Sequence, residues 1–204
     1  MLEAKDLECE RGGRRLFRGL SFSVQAGALV RLAGENGSGK TSLLRILCGL
    51  LMPDAGEVRW RGERIGALKE EYSRELVHIG HAAAVKDDLT AEENLAAALT
   101  LSATAFDEHH LRDALERMGV PAGRAVRRMS QGQRRRAALA RLFLSNAKPL
   151  WLLDEPFAAL DLAAVRAVEA LIRAHAAAGG SVVFTTHQDG ALTPGQVIEL
   201  GAPA

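Results

Sequence analysis

Residues 34–41 read Gly34-Glu35-Asn36-Gly37-Ser38-Gly39-Lys40-Thr41. The pattern Gly-x-x-x-x-Gly-Lys-Thr restricts a fold tightly, because it works only between a strand and a helix. Both flanks are present. Residues 28–33 are apolar enough for a strand, and residues 41–47 read as a helix with apolar residues at Leu43, Leu44 and Leu47, continued by Leu50 and Leu51. Glycines in such a loop let successive backbone N–H groups point into one concavity. The helix N-terminus adds partial positive charge at the same place. Gly34, Glu35, Asn36, Gly37, Ser38, Gly39, Lys40, Thr41 and Ser42 are therefore expected to wrap a phosphate chain. Lys40 would reach the β- and γ-phosphates, and the Thr41 hydroxyl would ligate Mg2+.

The rest of the chain narrows the setting. A length of 204 residues suits one domain with a sizeable core. A net charge of +1 gives no bulk field that would draw it to nucleic acid or anionic lipid. No stretch approaches the roughly 18 unbroken apolar residues of a membrane span. The acids among the first eight residues argue against a signal peptide. Cys9 falls in an expected strand and Cys48 in the expected helix, so both are read as buried, reduced thiols. Leu20, Phe22 and Val24 alternate with polar neighbours as in a half-buried strand, residues 53–56 form a turn, and residues 57–60 resume as a strand. Thr90 and Glu93 form a capping box that opens a helix running to about Leu101, and Asp107 caps another that stops at Gly119. Residues 150–153 and 181–185 are short apolar runs of the kind found in central parallel strands. Asp161 opens a helix that ends before Gly179.

Three further elements carry chemistry. Asp154 ends the apolar strand at residues 150–153, at the carboxyl edge where α/β sheets bind ligands, and is placed to hold Mg2+. Glu155 follows and can take a proton from water attacking the γ-phosphorus. Ser130 and Gln133 form a capping box for a helix read as residues 133–144, whose first turn offers free N–H groups to an anion. His187, past the strand at residues 181–185, can hydrogen-bond a phosphate oxygen or the attacking water. The arginines at 124, 127, 128, 134, 135 and 136 lack interleaved aromatics, which points to a solvated helix face beside an anion site rather than to nucleic acid. His109 and His110 have no companions at metal-ligand spacing.

Residues 34–41, 130–133, 152–156, 159–161 and His187 together resemble an ABC-type ATPase domain over nearly the whole chain. That resemblance implies an α/β P-loop NTPase of ABC type as one domain over 1–204. It would have a mixed sheet core, a small antiparallel β subdomain and a helical subdomain inserted at about residues 75–145. It further implies a dimer of two copies around two ATP molecules. Ser130, Gly132 and Gln133 of one copy would meet the phosphate held by Lys40 of the other, and Asp161 would couple the two sites.

A narrower resemblance rests on residues 80–95, 151–161 and 11–20. These are similar to the ATP-binding subunits of cytochrome c maturation (haem exporter) complexes. This implies an ATPase at the cytoplasmic face of a bacterial inner membrane, peripheral and held there by an integral membrane permease subunit. Its ATP would drive haem export or release of a haem-loaded chaperone, with no nucleic-acid partner. Another ABC transporter with a different cargo, and a soluble ABC ATPase, stand as alternatives. Two positions depart from the ABC pattern. The Q-loop glutamine falls at Ala82, so His81 or water substitutes, or coupling is weaker. The adenine-stacking aromatic is replaced near Arg11, whose guanidinium can stack on a base or sit in an exposed turn.

Overall fold

The computed structural model of the chain describes residues 1–188 and 192–201. Two sheets organise it. The first is antiparallel, built from β1 (Leu2–Arg11), β2 (Arg14–Val24), β4 (Ala55–Trp60) and β5 (Glu63–Arg64) in the order β2-β1-β4-β5. The second takes β3 (Leu29–Ala33), β6 (Leu76–Ile79), β7 (Leu150–Leu153), β8 (Ser181–Thr185) and β9 (Gln196–Glu199) in the order β6-β7-β8-β3-β9, with every pairing parallel. The mixture of strand directions thus lies between two sheets and not within one.

Seven α-helices are present among the described residues: α1 (Lys40–Leu47), α2 (Ile65–Leu68), α3 (Glu70–Arg74), α4 (Ala91–Leu101), α5 (Glu108–Arg117), α6 (Gln131–Leu139) and α7 (Leu162–Ala177). α4, α5 and α6 lie between β6 and β7 in sequence. The sequence-based boundary near residue 75 therefore takes in β6, which pairs with β7 in the parallel sheet.

The parallel sheet separates two cores, and the strand period explains how. Side chains alternate between faces along a strand. On β7, Leu150 and Leu152 pack with α1 and the antiparallel sheet, beside Leu43, Leu44, Leu2 and Trp60. Trp151 and Leu153 turn to the other face, beside Leu99, Leu115, Val168 and Ile172. β8 repeats this, with Val183 on the first side and Val182 and Phe184 on the second. Being covered twice, these strands need apolar residues at every position, which is why they read as unbroken runs.

Helix ends follow local chemistry. Thr90 and Glu93 form the reciprocal capping box of α4, and Asp107 Oδ1 accepts from the His110 N–H at the start of α5. α1 ends earlier than its leucine pattern implies. Cys48 is its C-cap, the chain turns at Gly49, and Leu50 is left exposed. Cys48 is accordingly half-buried outside the helix, while Cys9 is buried in β1. The helix after Ser130 begins at Gln131 rather than at Gln133, and tightens to a 3-10 turn over Ala140–Leu144.

Candidate active site

Strand order decides which loops meet. β3, β6, β7 and β8 are parallel neighbours, so the segments leaving their carboxyl ends converge on one edge of the sheet. These are residues 34–39, Gly80 and His81, Asp154 and Glu155, and Thr186 and His187.

The phosphate-cradling loop is built for close backbone approach. Gly34 has φ +139, and a Cβ there would lie 2.5 Å from the Leu200 carbonyl oxygen and 2.7 Å from Ser38 Oγ. Lys40 Nζ donates to the carbonyls of Gly34 (2.6 Å) and Glu35 (2.9 Å), drawing the loop around itself. Gly39 is the N-cap of α1 and gives no side-chain cap, so the first-turn N–H groups of that helix are not taken by a cap. Ser38 is buried, and its hydroxyl has no hydrogen-bond partner among the described residues.

Asp154 is the hub. The residue is 2% exposed, and both carboxylate oxygens are held: Oδ2 accepts from Thr41 Oγ1 at 2.8 Å and Oδ1 from Thr185 Oγ1 at 2.8 Å. Its N–H donates to Ile79 O at 2.8 Å, fixing the β7 end to β6. β8 pairs directly with β7, so the Thr185 hydroxyl at its end reaches both residues that follow β7, Asp154 and Glu155. Thr185 was legible in sequence only as a polar residue closing an apolar run.

Glu155 sits at φ +50, the left-handed region, which costs a non-glycine residue on the order of 1–3 kcal/mol. Its surroundings enforce that conformation. The Glu155 N–H donates to Thr185 Oγ1 at 2.8 Å, and its carbonyl accepts from Arg135 Nη2 at 2.8 Å. Glu155 Oε2 accepts from the His187 N–H at 3.2 Å. Oε1 lies 3.5 Å from His187 Nε2 and is buried without a hydrogen-bond partner among the described residues.

Arg135 corrects the reading of the basic run. It is buried on α6, and its guanidinium donates to four carbonyls. Nη1 reaches Gly80 (2.6 Å) and His81 (3.3 Å); Nη2 reaches Asp154 (2.6 Å) and Glu155 (2.8 Å). Burial lowers its pKa below the ordinary guanidinium value, and the nearby acids Asp154 and Glu155 work against that shift. The signal was in the helical phase: Arg135, Leu139 and Leu142 recur at i, i+4 and i+7, and all three are buried. The neighbouring arginines are paired with acids, Arg134 with Asp87, Arg136 with Asp161 and Arg127 with Asp88. Arg11 also finds local partners, with Nη1 lying 3.6 Å from Asp54 and Nη2 donating to Met52 O.

A cleft of about 500 Å3 collects these groups. Asn36, Gly37, Gly39, Lys40, Thr41, Ser42, Asp154, Glu155 and His187 line it, as the sequence reading expects, together with Leu16 and His81. Ser130, Gly132, Gln133 and Asp161 are not among its lining residues. Ser130 and Gln133 form their capping box on exposed surface, and Asp161 caps α7 through the Ala164 N–H at 2.8 Å. Gly132 has a different constraint: a Cβ there would lie 2.8 Å from Ala159 O, so α6 is pressed against the loop before α7.

The residues fit a phosphate chain and a hard divalent cation. The loop supplies the ammonium and free amides, while Thr41 and Asp154 supply the adjacent hydroxyl and carboxylate oxygens that such a cation takes. The fold that carries the cleft is that of an ATP-binding cassette. A putative ABC transporter ATP-binding protein from Pyrococcus furiosus matches with a TM-score of 0.82 at 26% identity, over 98% of this chain and 96% of that one. Residues 17–158 match the ABC transporter family. Two relatives, each named cytochrome c biogenesis ATP-binding export protein CcmA, are similar over almost their full lengths. The one from Aromatoleum aromaticum is 51% identical over 100% of this chain and 97% of its own. The one from Dechloromonas aromatica is 50% identical over 98% of each. The chain therefore belongs to the ABC transporter family, and within it to the group of these cytochrome c biogenesis ATP-binding proteins.

Proposed function

We propose that the chain is the ATP-hydrolysing subunit of an ABC membrane complex for cytochrome c biogenesis, powering haem export or release of a haem-loaded chaperone. The observation that carries the hydrolytic reading is that Glu155 lines the cleft beside Lys40, Thr41 and Asp154, with its Oε1 free of hydrogen bonds among the described residues and 3.5 Å from His187 Nε2. A carboxylate oxygen so placed can accept the proton of an attacking water.

The roles follow from the geometry. Lys40 exchanges its bonds to Gly34 O and Glu35 O for phosphate oxygens and neutralises their charge. The α1 amides and residues 34–39 wrap the phosphate chain. Thr41 and Asp154 would hold Mg2+, and Thr185 keeps the carboxylate in place. When bound, that cation offsets charge on the β- and γ-oxygens. Glu155 takes the proton of the water in line with the γ-phosphorus, and His187 orients Glu155. Ser130, Gly132 and Gln133 lie outside the cleft, which supports their use in trans, from a second copy of the chain in an ATP-sandwich dimer. Asp161, beside Ala159 and the α6 start, would couple the two sites. The helical segment at about residues 75–145 is the part of the single domain that we assign to contact with an integral membrane permease. No helix among the described residues is long and apolar enough to cross a membrane, consistent with peripheral attachment at the cytoplasmic face of the inner membrane through that partner.

Glu155→Gln tests this reading. The variant should bind ATP, turn over only at a small residual rate and run as a dimer on size exclusion in ATP; normal turnover would refute the assigned base. Tagged chain purified from detergent-solubilised membranes should carry a small polytopic membrane protein with haem-handling companions. Recovery of a different permease would discard haem as the cargo.

A further inference from the structure

We propose that Arg135 is a positioning residue for the hydrolysis step, setting the aim of Glu155 through its backbone; this rests on Glu155 being the base. Glu155 occupies the left-handed region at φ +50, a conformation that persists only where neighbours over-determine it. Three bonds do so. One is the Glu155 N–H to Thr185, and the other two come from a single nitrogen, Arg135 Nη2, to the carbonyls on either side of the Glu155 Cα, at 2.6 and 2.8 Å. With both flanking carbonyls fixed, the direction of the Glu155 side chain is fixed as well.

The same guanidinium extends the tie. Nη1 holds the carbonyls of Gly80 and His81, and His81 lines the cleft with Glu155. Arg135 thus spaces the two loops that flank the attacking water. Because it stands on α6, whose N-cap is Ser130, it also fixes within one chain the distance between its own Glu155 and the helix end it would offer to a partner. Such a fork needs two nitrogens held in one plane. A lysine, with one nitrogen on a flexible stem, can satisfy one loop or the other but not both.

The test uses the full chain with Mg-ATP, comparing wild type, Arg135→Lys and Arg135→Gln. ATP binding stoichiometry, KM and kcat are measured, and Arg135→Lys is repeated in the Glu155→Gln background. Arg135→Lys should lower kcat about tenfold or more with KM for ATP changed less than about twofold, the split expected when an interaction made only in the transition state is lost. In the Glu155→Gln background the same substitution should cost less than about twofold, because both changes act through one group. Should Arg135→Gln not fold, the lysine variant carries the test. A kcat for Arg135→Lys within about threefold of wild type overturns the inference and leaves the parent reading standing. A fall in ATP stoichiometry with kcat per bound ATP unchanged also overturns it, since Arg135 is then only structural. A wild-type chain that binds Mg-ATP and never hydrolyses it overturns both.

Discussion

Thr185→Val removes one hydroxyl and keeps the side-chain volume, so its effect can be worked from two bonds. Thr185 Oγ1 donates to Asp154 Oδ1 and accepts from the Glu155 N–H, each at 2.8 Å, at a side chain with 0% exposure. A hydrogen bond to a charged group contributes about 1.5–3 kcal/mol, and an amide left buried without a partner costs about 1–3 kcal/mol. The two losses share one atom and will not add fully, so we expect about 3 kcal/mol of destabilisation. That is a large part of the roughly 5–15 kcal/mol that holds a domain folded. Urea denaturation should show the midpoint moving with the slope unchanged. Function should split: the Lys40 loop is untouched, so ATP affinity should hold, while turnover falls as Glu155 loses the anchor of its N–H. Thr185→Ser restores the hydroxyl and loses one methyl, and should recover most of the stability and turnover. A Thr185→Val protein within about 1 kcal/mol of wild type would falsify the assignment of Thr185 as the bridge between Asp154 and Glu155.

Other expectations rest on separate features. Gly132→Ala drives a Cβ to 2.8 Å from Ala159 O, in a loop where Ala159 itself sits at φ +60. We expect about 1–2 kcal/mol of destabilisation by chemical denaturation, with turnover falling more than ATP affinity. His175 is stacked on Trp151 with centroids 3.8 Å apart, and burial pushes its pKa down from 6.5 to about 4. The folded state therefore favours the neutral ring. That stability is present above pH 6.5 and is lost as pH falls through 4, amounting to at most about 3 kcal/mol. His175→Phe keeps the stack and should flatten this part of the pH–stability profile; an unchanged profile would refute it. Ala82→Gln places an amide on the exposed loop beside His81. It should alter stimulation of ATPase activity by the proposed permease partner about fivefold, and unchanged stimulation would remove this position from coupling.

Much of the site was legible because its chemistry is local. The loop at residues 34–41, Asp154 at a strand end, and the capping boxes at Thr90 and Ser130 each depend on residues a few positions apart, and the structure forms both boxes. What was not legible depends on which strands are neighbours. Thr185 matters because β8 is the neighbour of β7, and no short-range pattern states that pairing. Arg135 was hidden in a run of arginines, where composition says solvent and only helical phase says core. Leu50 misled in the other direction, since its spacing continues the α1 stripe after Gly49 has already turned the chain. Leu16, which lines the cleft from the start of β2, carries no signal of its own because aliphatic side chains are common in half-buried strands.

The alternation along β7 has a consequence for how this chain can change. Leu150 and Leu152 serve one core, Trp151 and Leu153 the other, and Asp154 is the next residue out. Inserting or deleting a single residue within the strand would swap the two faces, sending the Trp151 ring toward α1 and shifting the acid off the edge of the sheet. The strand therefore acts as a ruler whose length is locked to the position of one carboxylate. Just before it, Ser145 and Lys148 are buried and hydrogen-bonded, so the nearest place where length can change without moving that carboxylate is the exposed pair Asn146 and Ala147 between them.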